Sequence, residues 1–198
     1  MDVSNDHQVW YLKLKTLIVY GTRYGATAGT SEEIGKVLRE EGFEVKVVDA
    51  KKDKIRDIKE YELIIIGNGM KFTGWTSEAK GFLRRFAKEL ASKKVAVFVS
   101  SAAQLLHEHK GEQEKLEEAW TKYLVEEITK YELNPIAMAI FGGWVNPENM
   151  GWLDKRMAKF FIEELEAVGI KGENGIYDTR DWDAIRKWAK ELAQKARA

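Results

Sequence analysis

The sequence predicts a doubly wound α/β sandwich, in which helices cover both faces of a parallel β-sheet. Five short apolar runs recur along the 198 residues, and each is followed by a helical pattern. Four of the runs are continuously apolar, as in strands that are covered on both faces. This regular alternation of strand and helix favours a sandwich of three layers. The predicted strands are Leu14–Tyr20, Val45–Asp49, Leu63–Gly67, Val95–Ser100 and Ile136–Phe141.

Helical patterns fill the segments between these strands. They lie near residues 27–41, 54–60, 75–90 and 112–131. Gly42 follows the first of them, where a glycine commonly ends a helix in the left-handed conformation. The second strand, Val45–Asp49, alternates more than the others and is therefore predicted at an edge of the sheet.

The chain continues after the fifth strand for longer than five strand–helix units require. Two further helices are predicted, at 150–168 and at about 181–196. One should close the fold, and the other is an addition that would serve as a lid or as an interface. The first helix carries one apolar face of Leu153, Met157, Phe160, Phe161, Leu165 and Val168. In the second helix, the residues predicted to face the core are Trp182, Ile185, Trp188, Ala189 and Leu192.

Composition limits the classes of function. The chain is 44% hydrophobic and 32% charged, and it has no cysteine, which excludes disulfides, iron–sulfur clusters and cysteine nucleophiles. The 32 basic residues equal the 32 acidic ones, so no net charge attracts nucleic acid. We expect a tail over residues 1–12, one domain over 13–198, no transmembrane segment and a cytoplasmic location.

A phosphate-binding loop is predicted at residues 16–27, which read TLIVYGTRYGAT. A buried strand ends at Gly21 and a helical pattern follows Gly25. This arrangement brings backbone N–H groups and the positive end of a helix dipole to one point. The lysine motif of nucleoside triphosphatases and the GxGxxG motif of dinucleotide-binding proteins are both missing, so a mononucleotide phosphate is predicted. Alternatively, the glycines and threonines serve only the turn and the helix cap.

Residues after the third, fourth and fifth strands would meet at the same edge of the sheet. After the third, glycines allow a flat ring to approach, Phe72 or Trp75 would stack on it, and Asn68 or Lys71 would reach its polar edge. The alternative is a loop whose aromatic residues cap the next helix. After the fourth strand, Ser100 to Gln104 offer small and polar groups. Gly142, Gly143 and Trp144 follow the fifth and would line the outer side of the cleft or serve the turn alone.

No catalytic acid, base or metal site is predicted. A serine nucleophile is excluded because the nucleophile-elbow motif is missing. His107 and His109 lie two positions apart, so on a helix they would point in different directions. No third ligand has a recognisable spacing, and a solvated loop is the better prediction for this segment.

Taken together, these loops resemble those of flavodoxin-like FMN-binding proteins. More specifically, they resemble the flavodoxin-domain family that includes the menaquinone-dependent protoporphyrinogen oxidases. The resemblance covers residues 16–194 and rests on YGTRYGAT, GNGMKFTGW, FGGW, the WLDKRMAKFF helix and the closing DTRDWDAIRKWAKEL. It implies a flavodoxin-like three-layer sandwich with sheet order 2-1-3-4-5, an extra C-terminal helix and one non-covalently bound FMN.

The resemblance also implies which residues bind this cofactor. The phosphate would be held by Thr22, Arg23, Tyr24, Gly25, Ala26 and Thr27. The isoalloxazine ring would be flanked by Asn68, Gly69, Met70, Lys71, Phe72, Thr73 and Gly74. A second ring loop would consist of Ser100, Ser101, Ala102 and Gln104, with Trp144 at the outer side.

The implied function is electron transfer through FMN, with a redox partner protein or a small-molecule quinone or porphyrinogen. An FMN-dependent protoporphyrinogen or quinone oxidoreductase is the alternative, so enzymatic activity stays open. Such an enzyme would have an apolar substrate pocket walled by Trp75, Trp144 and Trp152. A flavodoxin-fold binding module without a cofactor is the alternative from another class. Peripheral membrane contact and a homo-oligomer also stay open.

Overall fold

The sheet has the predicted architecture. The computed structural model describes residues 13–70 and 74–198, and the predicted tail over residues 1–12 lies outside them. Five parallel strands pair in the order β2-β1-β3-β4-β5, which confirms the predicted topology. They are β1 (Lys15–Gly21), β2 (Glu44–Asp49), β3 (Leu63–Gly69), β4 (Lys94–Ser100) and β5 (Ala137–Phe141).

Helices cover both faces of this sheet. The residue ranges are α1 (Ala26–Glu40), α2 (Ser77–Leu90), α3 (Ala103–Lys110), α4 (Gln113–Trp120), α5 (Glu126–Thr129), α6 (Trp152–Ala167) and α7 (Trp182–Arg197). One apolar core lies under α1 and α7, and a second lies under α2 and the segment that ends in α5. The central strand β3 is buried along its whole length, whereas β2 exposes alternate residues, as predicted for an edge strand.

Helix α7 closes the fold, and α6 is the additional helix. Ile185, Ala189 and Leu192 of α7 are fully buried against the sheet. Trp188 packs edge-on against the rings of Phe98 and Phe141, with centroids 6.4 and 5.6 Å away. The predicted inward face of this helix is therefore confirmed.

Two predictions about local structure are wrong, and one pair of short strands was not predicted. Residues 54–58 are irregular and 59–60 form a turn, where a helix was predicted, because so short a polar segment gains little from one or two helical turns. The helix predicted at 112–131 is present as α4, a π-helical turn (Thr121–Val125) and α5 in unbroken succession. However, α3 lies where the His107 segment was predicted to be a loop. Gly111, with φ of 64°, separates α3 from α4. A short antiparallel pair, β6 (Trp144–Val145) and β7 (Tyr177–Asp178), was not predicted.

Two helix-interior glycines give opposite predictions for stability. At Gly81 in α2 an added Cβ would meet nothing within 4 Å, so Gly81→Ala should raise the free energy of unfolding by about 0.5–1 kcal/mol. At Gly35 in α1 an added Cβ would lie 2.9 Å from Val47 Cγ2, so Gly35→Ala should lower the free energy of unfolding. Urea unfolding of both variants measures the difference, and equal shifts would contradict this account of the packing.

Candidate functional site

A cavity of about 310 Å³ lies at the carboxyl ends of β1, β3 and β4. Ligands of open α/β sheets bind at this edge, outside the strand ends. Its walls are mostly apolar, and they come from parts of the chain that are distant in sequence. The lining residues are Thr22, Arg23, Tyr24, Ala26, Thr27, Gly69, Met70, Ser100, Ser101, Ala102, Ala103, Gly143, Trp144, Val145, Met150, Asp154, Met157, Ala158 and Phe161.

The loop between β1 and α1 forms one end of the cavity. Gly25 precedes the helix with φ of 98°, a left-handed conformation that favours glycine. Its N–H donates to the Thr22 hydroxyl at 2.9 Å, which closes a tight turn. The backbone N–H groups of Ala26 and Thr27 lie in the first turn of the helix, where no intrahelical acceptor is available. With the positive end of the α1 dipole, they form a site suited to an anion.

Two buried hydroxyl groups in the cavity lack partners. Among the residues that the structure describes, nothing accepts from or donates to Thr27 Oγ1 or Ser100 Oγ. A Cβ at Gly69 would lie 2.7 Å from Thr27 Oγ1, so a larger residue at this position would collide with the hydroxyl. Buried polar groups without hydrogen bonds are costly, and a polar ligand that reaches both hydroxyls would remove that cost.

The indole of Trp144 braces the loop from the outer side. Its Nε1–H donates to the Tyr24 carbonyl at 2.6 Å. The Arg180 guanidinium lies between this ring and that of Trp182, at 4.8 and 4.3 Å from the two centroids. Arg180 also donates to the Ala26 carbonyl at 3.3 Å, and it is paired with Asp178 at 2.6 Å. These contacts fix the start of α1 with residues from the last part of the chain.

The turn that carries Trp144 is held by backbone contacts. The Gly143 N–H donates to Thr179 Oγ1 at 3.1 Å, and the Thr179 N–H donates to the Gly143 carbonyl at 2.8 Å. At Gly142 an added Cβ would lie 1.9 Å from the Thr179 carbonyl oxygen. The glycine pair after β5 is therefore required by close backbone packing, and it also positions a wall of the cavity.

Helix α6 forms one wall of the cavity. Met157, Ala158 and Phe161 line the cavity from this helix. The Tyr24 hydroxyl donates to Asp154 Oδ2 at 2.7 Å, which joins α6 directly to the loop before α1. The additional helix is thus part of the site.

The structure brings together eleven of the residues predicted for cofactor binding. They are Thr22, Arg23, Tyr24, Ala26, Thr27, Gly69, Met70, Ser100, Ser101, Ala102 and Trp144. Gly25 shapes the loop without lining the cavity, and Gly74 does not line it. Gln104 lies in a smaller neighbouring pocket beside His107. Lys71, Phe72 and Thr73 lie outside the described residues.

Asn68 is buried and bonded within the protein. Its Oδ1 accepts from the Thr76 N–H at 2.9 Å and from the Thr76 hydroxyl at 3.0 Å. Its Nδ2 donates to the Gly69 carbonyl at 3.2 Å. The side chain therefore connects the end of β3 to the start of α2, and it does not line the cavity.

Two of the three tryptophans predicted to wall a pocket lie elsewhere. Trp75 is 4% exposed in the core and donates to the Tyr123 carbonyl at 2.6 Å. It lies just before α2, and this packing turns it away from the strand ends. Trp152 is 77% exposed at the start of α6. Of the three, only Trp144 lines the cavity.

Sequence reasoning missed the wall formed by α6. Met150, Asp154 and Ala158 were not predicted for the site, and Met157 and Phe161 were assigned only to an apolar face. The sequence did contain one indication of this wall: residues 150–168 include more apolar residues than a helix that closes the fold needs. It did not indicate which of them face the sheet edge.

His107 and Glu112 form a local pair between α3 and α4. Their Nδ1 and Oε2 atoms are 2.6 Å apart. Hydrogen bonds from Lys115 and then His107 lower the pKa of Glu112 below its usual value.

In the part of the chain that the structure describes, no group of three or more metal-ligating side chains occurs. None of its helices has the length and apolar character to cross a membrane.

Comparisons with known proteins identify the family. The family model described as "Flavodoxin domain" matches residues 17–167. The protoporphyrinogen IX dehydrogenase (quinone) of Escherichia coli K12 is 23% identical over 187 residues, which are 91% of this chain and 95% of that protein.

Two solved structures share the fold. A flavodoxin from the domain Archaea aligns with a TM-score of 0.54 and 15% identity over 93% of this chain and 99% of its own. The rubredoxin oxygen:oxidoreductase of Desulfovibrio gigas aligns with a TM-score of 0.53 and 14% identity over 93% of this chain. The alignment covers only 36% of that longer protein.

Proposed function

The chain belongs to the flavodoxin domain family, and on that premise we propose that it is a redox protein that binds FMN and transfers electrons through it. The observation that supports this most directly is the pair of unpartnered buried hydroxyls, Thr27 and Ser100, in a cavity at the carboxyl ends of the strands. One hydroxyl belongs to the loop suited to a phosphate, and the other to the loop suited to a ring edge. FMN carries both kinds of group.

In this proposal the protein binds and orients the cofactor. Thr22 to Thr27 hold the phosphate through backbone N–H groups and hydroxyls, and the Ser100 loop and Gly69–Met70 flank the ring. Met157 and Phe161 of α6 supply an apolar wall beside the ring. When bound, FMN supplies the reversible uptake and release of electrons. No side chain needs to act as an acid or base.

The proposal is tested by titrating the purified protein with FMN and with riboflavin, following flavin fluorescence and absorbance. We expect FMN to bind and riboflavin to bind much more weakly, since only FMN has a phosphate for the loop before α1. Equal affinity for the two would contradict the assignment of that loop. Absence of flavin binding would contradict the function and would favour a binding module without a cofactor.

Removing the Thr27 hydroxyl should weaken FMN binding. Thr27→Val keeps the shape of the side chain and should cost about 1 kcal/mol, roughly a fivefold rise in Kd. Thr30→Val is the matched control, because Thr30 lies on the same helix and is also buried but does not line the cavity; its hydroxyl donates to the Ala26 carbonyl. Equal effects of the two variants on Kd would show that the Thr27 hydroxyl has no specific role.

An FMN-dependent quinone or porphyrinogen oxidoreductase is the second candidate. Two observations favour it: the similarity to the Escherichia coli dehydrogenase, and an apolar helix as one wall of the cavity. Anaerobic reduction of the FMN-loaded protein, followed by addition of a quinone, separates the candidates. Rapid reoxidation by the quinone with multiple turnovers supports the enzyme, whereas reoxidation only by a redox protein supports a carrier.

The predicted cytoplasmic location belongs to the same proposal and is tested by cell fractionation.

A further inference from the structure

Helix α6 exposes an unusual amount of apolar surface. Trp152 and Phe160 are 77% and 66% exposed, and Leu153 and Met157 are about half exposed. Of the six large hydrophobic residues that are exposed in the described part of the chain, four lie on this one helix. Contiguous apolar surface of this kind commonly marks an interaction site.

Five exposed residues lie on the side of α6 opposite its buried side, and they include Trp152 and Phe160, two of the four exposed hydrophobic residues. With 100° between successive residues, Ala158 and Leu165 point toward the protein, and both are buried. The opposite face consists of Trp152, Arg156, Phe160, Glu163 and Ala167, all of them exposed. We call these five residues the outer face of α6. They follow the spacing at which one helix packs on another.

Charges along α6 are divided between its two halves. The first half carries the basic residues Lys155, Arg156 and Lys159, together with one acidic residue, Asp154, which accepts from the Tyr24 hydroxyl. The second half carries Glu163, Glu164 and Glu166. Glu164 pairs with Lys110, and Glu166 accepts from the Tyr177 hydroxyl. Arg156 and Glu163, on the outer face, form no ion pair with any residue that the structure describes.

The outer face of α6 is complementary to the same face of a second copy when the two helices run antiparallel. In an antiparallel pair of α6 helices, Arg156 of each copy faces Glu163 of the other. The large ring of Trp152 then lies over the small Ala167, and the two Phe160 rings meet at the two-fold axis. A two-fold interface needs this property, because the same surface serves on both subunits.

We propose that the outer face of α6 is the contact surface of a homodimer, in which the α6 helices of two copies pack antiparallel. The equal numbers of basic and acidic residues mean that the two copies do not repel one another. An anionic membrane or an acidic protein would attract the first half of α6 but would be repelled by the second. Because α6 also walls the cavity, each copy would support the cavity wall of the other. This inference goes beyond the proposed function.

Sedimentation equilibrium over a range of protein concentrations, with charge-reversed variants, tests the dimer. Wild-type protein should show a monomer–dimer equilibrium. Arg156→Glu alone and Glu163→Arg alone should each weaken dimerisation by at least about tenfold, since each sets like charges against one another. The two single variants mixed in equal amounts should associate again, and so should the double variant, because both restore opposite charges across the interface.

Three results would overturn the proposal: monomeric wild-type protein at all concentrations, single variants that dimerise like wild type, or a mixture that does not associate. A monomer that binds vesicles of anionic lipid through Trp152 would assign the face to a membrane instead. Lys187→Glu on α7 and Trp120→Ala on α4 are the matched controls, since both residues are exposed outside α6, and neither should affect dimerisation. FMN titration of each variant tests the proposed function separately.

Discussion

Gly25→Ala is expected to weaken FMN binding about a hundredfold or more while the protein remains folded. The backbone at Gly25 has φ of 98°, and a Cβ there would lie 2.9 Å from Trp144 Cζ2. The Trp144 ring cannot move freely, because it is bonded to the Tyr24 carbonyl and stacked on Arg180. The loop must shift instead, and a displacement of about 1 Å in groups that bind a ligand can remove most of their effect.

The matched control is Gly42→Ala at the other end of α1. Gly42 has φ of 88°, so alanine there carries a similar backbone strain of about 1 kcal/mol, but its Cβ would meet nothing within 4 Å. Fluorescence titration with FMN should therefore show normal affinity in this variant. Retention of FMN by Gly25→Ala, or equal loss in both variants, would contradict the phosphate-loop assignment.

Gly142→Ala should lower the free energy of unfolding by more than about 4 kcal/mol, a large part of the stability of a single domain. The new Cβ would lie 1.9 Å from the carbonyl oxygen of Thr179 and 2.4 Å from its carbonyl carbon. These are backbone atoms, which cannot rotate away as a side chain would. The contact between Gly143 and Thr179 must separate, and Trp144 would then lose its position.

Urea unfolding monitored by circular dichroism measures this effect. Gly151→Ala is a suitable control, because a Cβ at Gly151 meets nothing within 4 Å and φ there is negative. We expect it to change the free energy of unfolding by less than about 1 kcal/mol. If Gly142→Ala is no more destabilising than this control, the backbone packing after β5 has been described incorrectly.

The fold could be predicted because its signals are local in sequence. Each strand is an apolar run of a few residues, and the start of α1 follows Gly25 directly, so neighbouring residues determine both. The segment at 54–60 illustrates the limit: its irregular backbone is held by distant groups, such as Lys93 Nζ, which donates to the carbonyls of Lys59 and Tyr61. No local pattern records such contacts.

The sequence predicted the residues of the candidate site only where they lie together in one loop. Residues of the loop before α1 line the cavity as expected, because strand and helix geometry fix their positions. Asn68 has the polarity of a ligand-binding residue, but it bonds to Thr76 of the same segment, and polarity alone does not distinguish the two uses. The wall from α6 depends on contacts such as Tyr24 with Asp154, which are 130 residues apart.

The contacts of Trp144 and Arg180 with the loop before α1 affect the order in which the protein can fold during synthesis. Arg180 contacts Ala26 across 154 residues of chain, and Trp144 reaches Tyr24 across 120. The loop therefore leaves the ribosome long before the residues that hold it in place. Until those residues arrive, the nascent chain can pair its first strands but cannot present a finished cavity. Binding of the proposed FMN is then expected only after Arg180 has left the ribosome, which makes it a late step in the maturation of the protein.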